Sequence, residues 1–248
     1  MSENKVPGLI TVRSSSSRLP NKCFLPFGER CNVLEHIIRR AKHYNLDPII
    51  CTSTDPSDDL IEELALREGV KCFRGSLINK LKRWADCAVH FNLKAFHTVD
   101  ADDPFFDGDE MKKSFKLLLD HNLDVVSPTI ESSNGGASVG YSLTTQIVNK
   151  SILNLDTDTD TEMMWYYLDK IKNLKKEILT DETKTKFKVR LTLDYIEDYW
   201  LLESVRRIAG NFATREKVNK IFKNNPEMYL INWFRNVEWK NAQLNKSI

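Results

Sequence analysis

Short apolar runs alternate with longer helical patterns from residue 9 to residue 127, and this constrains the fold more than any other feature of the chain. Strands are predicted at Leu9–Val12, Pro48–Cys51, Lys71–Phe73, Ala95–Val99 and Asp124–Ser127. Between the first two, Val33, Leu34, Ile37, Ile38 and Ala41 recur at helical spacing. The stretch DPSDDLIEELALREGV reads as a helix with Asp55 as its N-cap, Pro56 in its first turn and Gly69 at its end. Further helices are expected over residues 79–91 and 109–121. Such alternation implies βαβ units, hence an α/β fold: a Rossmann-like, mainly parallel sheet flanked by helices.

The pattern loosens after residue 130. ESSNGGASVGYS carries loop residues and glycines, and NLDTDTDTEMMWYY mixes an acidic run with aromatics. Residues 130–188 are therefore expected to form a smaller inserted excursion that faces an acceptor or supplies a dimer surface. The cluster Met163, Met164, Trp165, Tyr166 and Tyr167 suits either that surface or a core. Order returns with a strand at Phe187–Leu193, a turn at Asp194 and a helix ended by Gly210, before a helical tail over 211–248. A length of 248 residues fits one domain spanning 1–248.

A net charge of +1 argues against a protein that grips nucleic acid through a bulk basic field. No apolar run approaches the ~20 residues needed to span a membrane, and the start MSENKVPG lacks the apolar segment of a signal peptide. Five cysteines (Cys23, Cys31, Cys51, Cys72, Cys87), with no CxxC pair, read as reduced thiols of a cytoplasmic protein.

In parallel sheets ligands gather at the carboxyl ends of the strands. There the first strand runs into Arg13, four serines (Ser14 to Ser17), Arg18 and Lys22. Arginine forks and a lysine point charge together suit a polyphosphate, with hydroxyl and backbone donors between them. No Walker A sequence or GxGxxG follows this strand, which weakens P-loop and dinucleotide-binding readings. A second strand ends in VDADDPFF, placing Asp100, Asp102 and Asp103 where carboxylates either meet a cation or cap a turn. Asp194, in RLTLDYIED, is either a third such carboxylate or a helix cap. The five histidines show no ligand spacing, and no GxSxG nucleophile elbow is present.

These motifs together resemble the cytidylyltransferases that make CMP-activated acidic sugars, especially the branch named for spore-coat polysaccharide biosynthesis. CMP-Kdo and CMP-sialate synthetases are similar at greater distance. The resemblance rests on Val12 to Lys22, on Phe73-Arg74-Gly75-Ser76 with Leu81 and Arg83, on Ala101-Asp102-Asp103-Pro104, and on Arg190 to Asp194 with Glu197-Asp198, all in family order. It implies a fold of the nucleotide-diphospho-sugar transferase type, in a single nucleotidyltransferase domain. It further implies CTP and a small acidic acceptor as substrates and catalysis by Arg13, Lys22, Asp102 and Asp194; a homodimer is the expectation from the aromatic cluster of the excursion. Asp102 and Asp194 would bind Mg²⁺. Ser14, Ser15, Ser16, Arg18, Arg74, Gly75, Ser76 and Asp100 would join Arg13 and Lys22 around the nucleotide. Two positions depart from the family: Ser15 replaces a glycine, and Ser138–Ser142 lacks an expected acid. The alternatives are a phosphonate or phosphorylated acceptor, an inactive nucleotide-binding homologue, or a structural subunit.

Overall fold

The computed structural model describes residues 5–133, 135–180 and 188–245. The chain runs β1 (Val6–Thr11), α1 (Val33–His43), β2 (Leu46–Ser53), α2 (Asp59–Arg67), β3 (Lys71–Gly75), α3 (Lys80–His90), β4 (Ala95–Asp100) and α4 (Gly108–Asp120). There follow β5 (Val125–Ser127), α5 (Ile130–Ser133), β6 (Ser142–Thr144), α6 (Thr145–Ile152), α7 (Trp165–Leu168) and β7 (Lys176–Ile178). The helices α8 (Ile196–Ala209), α9 (Arg215–Asn224) and α10 (Arg235–Asn245) close it. Among the described residues seven strands form one sheet, in the order β3-β2-β1-β4-β6-β5-β7. Only β6 runs antiparallel to its neighbours, β4 and β5. This is the Rossmann-like, mainly parallel architecture that the βαβ alternation predicts.

Strand side chains alternate between two cores, as the period of two requires. Ile10 and Ile50 join Ile37, Ile38 and the apolar side of α8 in one core; Leu9, Ile49 and Phe96 join Trp84 and Ile147 in the other. Local chemistry starts the helices. Asn32 and Glu35 form a reciprocal cap at α1, Asn79 accepts from the Lys82 amide at α3, and Asp107 accepts from two amides at α4. Asp55 caps as expected, but on a 3₁₀ turn at Pro56–Asp58 that leads into α2.

Two expectations change beyond residue 130. The predicted strand at Phe187–Leu193 begins at Phe187, outside the described residues, and residues 188–193 are not a strand. The Leu191 and Leu193 amides donate to the carbonyls of Gly135 and Asp102, each at 2.7 Å, so this segment is tied to loops. The strand positions go instead to β6 and β7, three residues each and too short to show a periodicity. The excursion thus contributes to the sheet itself. Its SVGYS segment enters β6 by close approach to β4: a Cβ on Gly140 (φ +75°) would lie 2.0 Å from the Thr98 carbonyl oxygen, which only glycine avoids. The aromatic cluster divides, with Met164 and Leu168 buried in the second core and Trp165 and Tyr166 exposed.

Candidate active site

The register sets the site. Thr11 of β1 pairs with Asp100 of β4, so the chain leaves both strands side by side and a cavity opens over their ends. The loop after β1 is fastened below by Asp58. Five hydrogen bonds reach that carboxylate, from the amide and hydroxyl of Ser14, the hydroxyls of Thr52 and Ser53, and the Ser53 amide. Burial alone would raise its pKa; the donated bonds pull it below the ordinary carboxylate value. The Ser14 hydroxyl is therefore engaged beneath the loop, while Ser15, Ser16 and Ser17 line the cavity. Ser15 keeps a negative φ, so its backbone does not need the glycine of the family pattern. The positive-φ residue of the loop is Asn21 (φ +56°), which turns the chain into the Lys22–Phe24 3₁₀ helix.

That turn delivers Lys22 between two carboxylates. Its ammonium lies 2.9 Å from Asp102 Oδ2, 3.1 Å from Asp194 Oδ1 and 2.7 Å from the Leu193 carbonyl oxygen. Burial opposes the charge of Lys22, but Asp102 and Asp194 outweigh it and raise the pKa above the usual lysine value. Asp194 is itself buried, which alone would raise its pKa; Lys22, Arg18 (2.6 Å) and Arg190 (3.1 Å) hold it down to about 2. Asp198 supports the turn by accepting five hydrogen bonds: two from Arg190, one from Asn232, and one each from the Asp194 and Tyr195 amides. On the other carboxylate strand end, burial and the neighbouring charge of Asp102 raise Asp100 to about 6. Asp103 points away from the cavity and accepts a 2.7 Å bond from Thr192.

The structure thus brings together Arg13, Ser15, Ser16, Arg18, Lys22, Asp100 and Asp102 as cavity lining, with Asp194 behind Lys22 and Arg18. It does not bring Arg74, Gly75 and Ser76 there. The Arg74 guanidinium binds the Ser53 and Asp55 carbonyls and pairs with Asp59 and Glu62. Gly75 admits the side chains of Phe73 and Arg83 at 2.9 and 3.2 Å from where a Cβ would stand, and Ser76 Oγ accepts from the Asn79 amide. These three shape the entry to α3. Three charged residues that the motif reading left out of the site do line the cavity: Lys80, Arg83 and Glu162. Two cations one turn apart at the start of α3 carried a signal; Glu162, within a long acidic run, did not.

A cytidylyltransferase family model matches residues 8–227. The chain belongs to the cytidylyltransferase family. An uncharacterized protein of Methanocaldococcus jannaschii, MJ1063, is 29% identical over 234 residues, covering 92% of this chain and 94% of that one. The structure of a cytidylyltransferase from Leptospira borgpetersenii superposes with a TM-score of 0.79 at 25% identity, covering 90% of this chain and 96% of that one. CMP:2-keto-3-deoxy-manno-octonic acid synthetase, in complex with CTP, shares the fold, with a TM-score of 0.62 at 14% identity over 83% of this chain and 99% of that one. Membership of this cytidylyltransferase family bears out the resemblance read from the motifs.

Proposed function

We propose that the chain transfers a cytidylyl group from CTP to an acidic sugar of the 2-keto-3-deoxy type, releasing pyrophosphate, in the making of a cell-surface polysaccharide or glycoconjugate. One observation carries the reading: the cationic loop 13–22 meets Asp102 and Asp194 through Lys22 at the carboxyl ends of β1 and β4. The acceptor class is supported by the cationic cavity, which suits an acid, and by the likeness to a synthetase named for such a sugar acid. In this scheme an acceptor hydroxyl oxygen bonds to the α-phosphorus and gives up its proton to solvent, while the bond from the α-phosphorus to the α–β bridging oxygen breaks in line and that oxygen leaves with pyrophosphate. Arg13, Arg18 and Lys22 hold the phosphates and offset charge on the departing pyrophosphate.

The residues present fit a divalent cation. Two carboxylates already converge on one cationic atom, the Lys22 ammonium. Among the described residues no group of three acidic, His or Cys side chains could hold a metal, so Asp102 and Asp194 would supply two ligands and leave the rest to water and phosphate, the habit of Mg²⁺. Bound there, the ion would polarise the phosphates. With the carboxylates so engaged, Lys22 would be available to the phosphate oxygens.

Melting in the presence of CTP, UTP, GTP or ATP, each with and without Mg²⁺, tests the assignment. CTP at ~100 times its dissociation constant is expected to add ~2.7 kcal/mol of stability, and at one fixed CTP concentration the shift is expected to be larger with Mg²⁺ than without. No shift with any nucleotide sinks the reading. Pyrophosphate release over a panel of sugar acids, phosphonates and phosphorylated small molecules then identifies the acceptor.

Two further features belong to this proposal. The cytoplasm is supported as the site of action by five free cysteines; among the described residues no helix is long and apolar enough to cross a membrane. A homodimer is supported by the exposed rings of Trp165 and Tyr166. Light scattering is expected to give twice the 28.7 kDa chain mass and to fall towards one chain in Trp165→Ser/Tyr166→Ser; an unchanged mass excludes this surface.

A further inference from the structure

Asp102 and Asp194 balance the Lys22 end of the cavity, but the wall built by α3 is not balanced. Arg83 is 1% exposed. Its guanidinium donates to two neutral carbonyls, Ser76 at 2.6 Å and Leu77 at 3.3 Å, and its Nε has no partner among the described residues. No carboxylate pairs with it among the described residues. A buried charge satisfied only by neutral groups is costly, and a counterion that arrives with a ligand removes that cost.

Two more cations line the same cavity. Arg13 reaches the Leu77 carbonyl at 2.8 Å, and Lys80 begins α3. Both lean on one carboxylate, Glu162, with Arg13 at 3.3 Å from Oε2 and Lys80 at 3.5 Å from Oε1. These contacts are long for charge-assisted bonds, and Glu162 is 38% exposed in its side chain. The residue before it anchors it: Thr161 Oγ1 accepts from the Leu81 amide at 2.9 Å and donates to Asn79 Oδ1 at 3.0 Å. Among the described residues no hydrogen bond or ion pair joins Asp100, which also lines the cavity, to any of the three cations. Arg13 and Lys80 therefore share one carboxylate through long contacts, and Arg83 has no carboxylate partner among the described residues.

We propose that Lys80 and Arg83, with Arg13, form a second anion seat, filled by Glu162 when no ligand is bound and taken over by an anionic group of a substrate. The two Glu162 oxygens stand in for the oxygens of that group, a nucleotide phosphate or an acceptor carboxylate. The inference rests on reading the cavity as a site of nucleotidyl transfer, and it adds Lys80 and Arg83 as binding residues and Glu162 as a displaceable occupant.

Calorimetric titration of the wild-type, Lys80→Met and Glu162→Gln chains tests it, with inorganic pyrophosphate and 2-keto-3-deoxy-manno-octonic acid as separate probes. Melting curves establish that each variant is folded. Lys80→Met is expected to weaken binding by about ten-fold or more, since it removes a charged donor. Glu162→Gln is expected to tighten binding several-fold, because it removes the competitor. Opposite shifts from the two partners of one ion pair distinguish a ligand seat from a merely structural pair. The pattern with pyrophosphate assigns the seat to phosphate, and the pattern with the sugar acid alone assigns it to a carboxylate. A Glu162→Gln chain that binds both probes no more tightly than wild type overturns the proposal, even where CTP still stabilises the chain. Opposite shifts with pyrophosphate, but no stabilisation by CTP, would uphold the seat and remove the nucleotidyl-transfer reading.

Discussion

Asp194→Asn is expected to lower turnover by about 10²-fold or more and to lower the melting temperature with it, whereas Asp102→Asn should lower turnover alone. The two carboxylates share Lys22 but differ in surroundings. The Asp194 side chain is 2% exposed and faces Arg18, Lys22 and Arg190, all within 3.1 Å. Removing its charge leaves three cations facing one another around a neutral amide. Breaking a buried pair in this way typically costs about 3–5 kcal/mol, on the order of 10 °C for a chain of this size. Asp102 is 31% exposed and contacts Lys22 alone of these cations, so water replaces most of what the amide lacks. Steady-state pyrophosphate release and thermal melting on the two variants separate the cases. Wild-type turnover in both would remove the metal and phosphate roles together. An Asp194→Asn chain that melts like wild type would show that its cations are held by other means.

The second large effect lies behind the site. Asp198→Asn is expected to destabilise the chain by about 3–5 kcal/mol, measured as a lower urea midpoint, and to weaken CTP binding. Asp198 touches nothing in the cavity. Its carboxylate accepts both Arg190 bonds, the Asn232 amide, and the backbone N–H groups of Asp194 and Tyr195. An asparagine keeps one acceptor oxygen and turns an NH₂ toward donors, leaving at least two buried groups unsatisfied. The turn that aims Asp194 at Lys22 then loosens. Loss of stability with unchanged CTP affinity would confine Asp198 to the fold.

The βαβ alternation was legible because β1, β2 and β4 carry buried apolar runs and α1, α3 and α4 carry their own caps, while β3 is only half-buried and α2 follows a capped 3₁₀ turn. Asn32, Asn79 and Asp107 act on amides two or three residues away, within the reach of a sequence argument. The cluster from Arg13 to Lys22 was legible for the same reason, since a strand followed by cations and hydroxyls has few other uses. Which of those hydroxyls face the cavity was not. Ser14 and Ser15 are neighbours, yet one is bonded to Asp58, 44 residues away, and the other lines the cavity. Arg74 matched a family motif and still turned to Asp59 and Glu62, while Lys80 and Arg83 faced the cavity because α3 begins at its edge. Likewise β6 and β7 are strands only because β4 and β5 offer them ladder partners. By itself, then, the sequence determined the sheet class, the strand ends and the residue types gathered there, all of which follow from local pattern. Only the tertiary structure decided which charges pair. Pairing depends on distance and burial between residues far apart in the chain, as with Lys22 and Asp194 or Arg13 and Glu162.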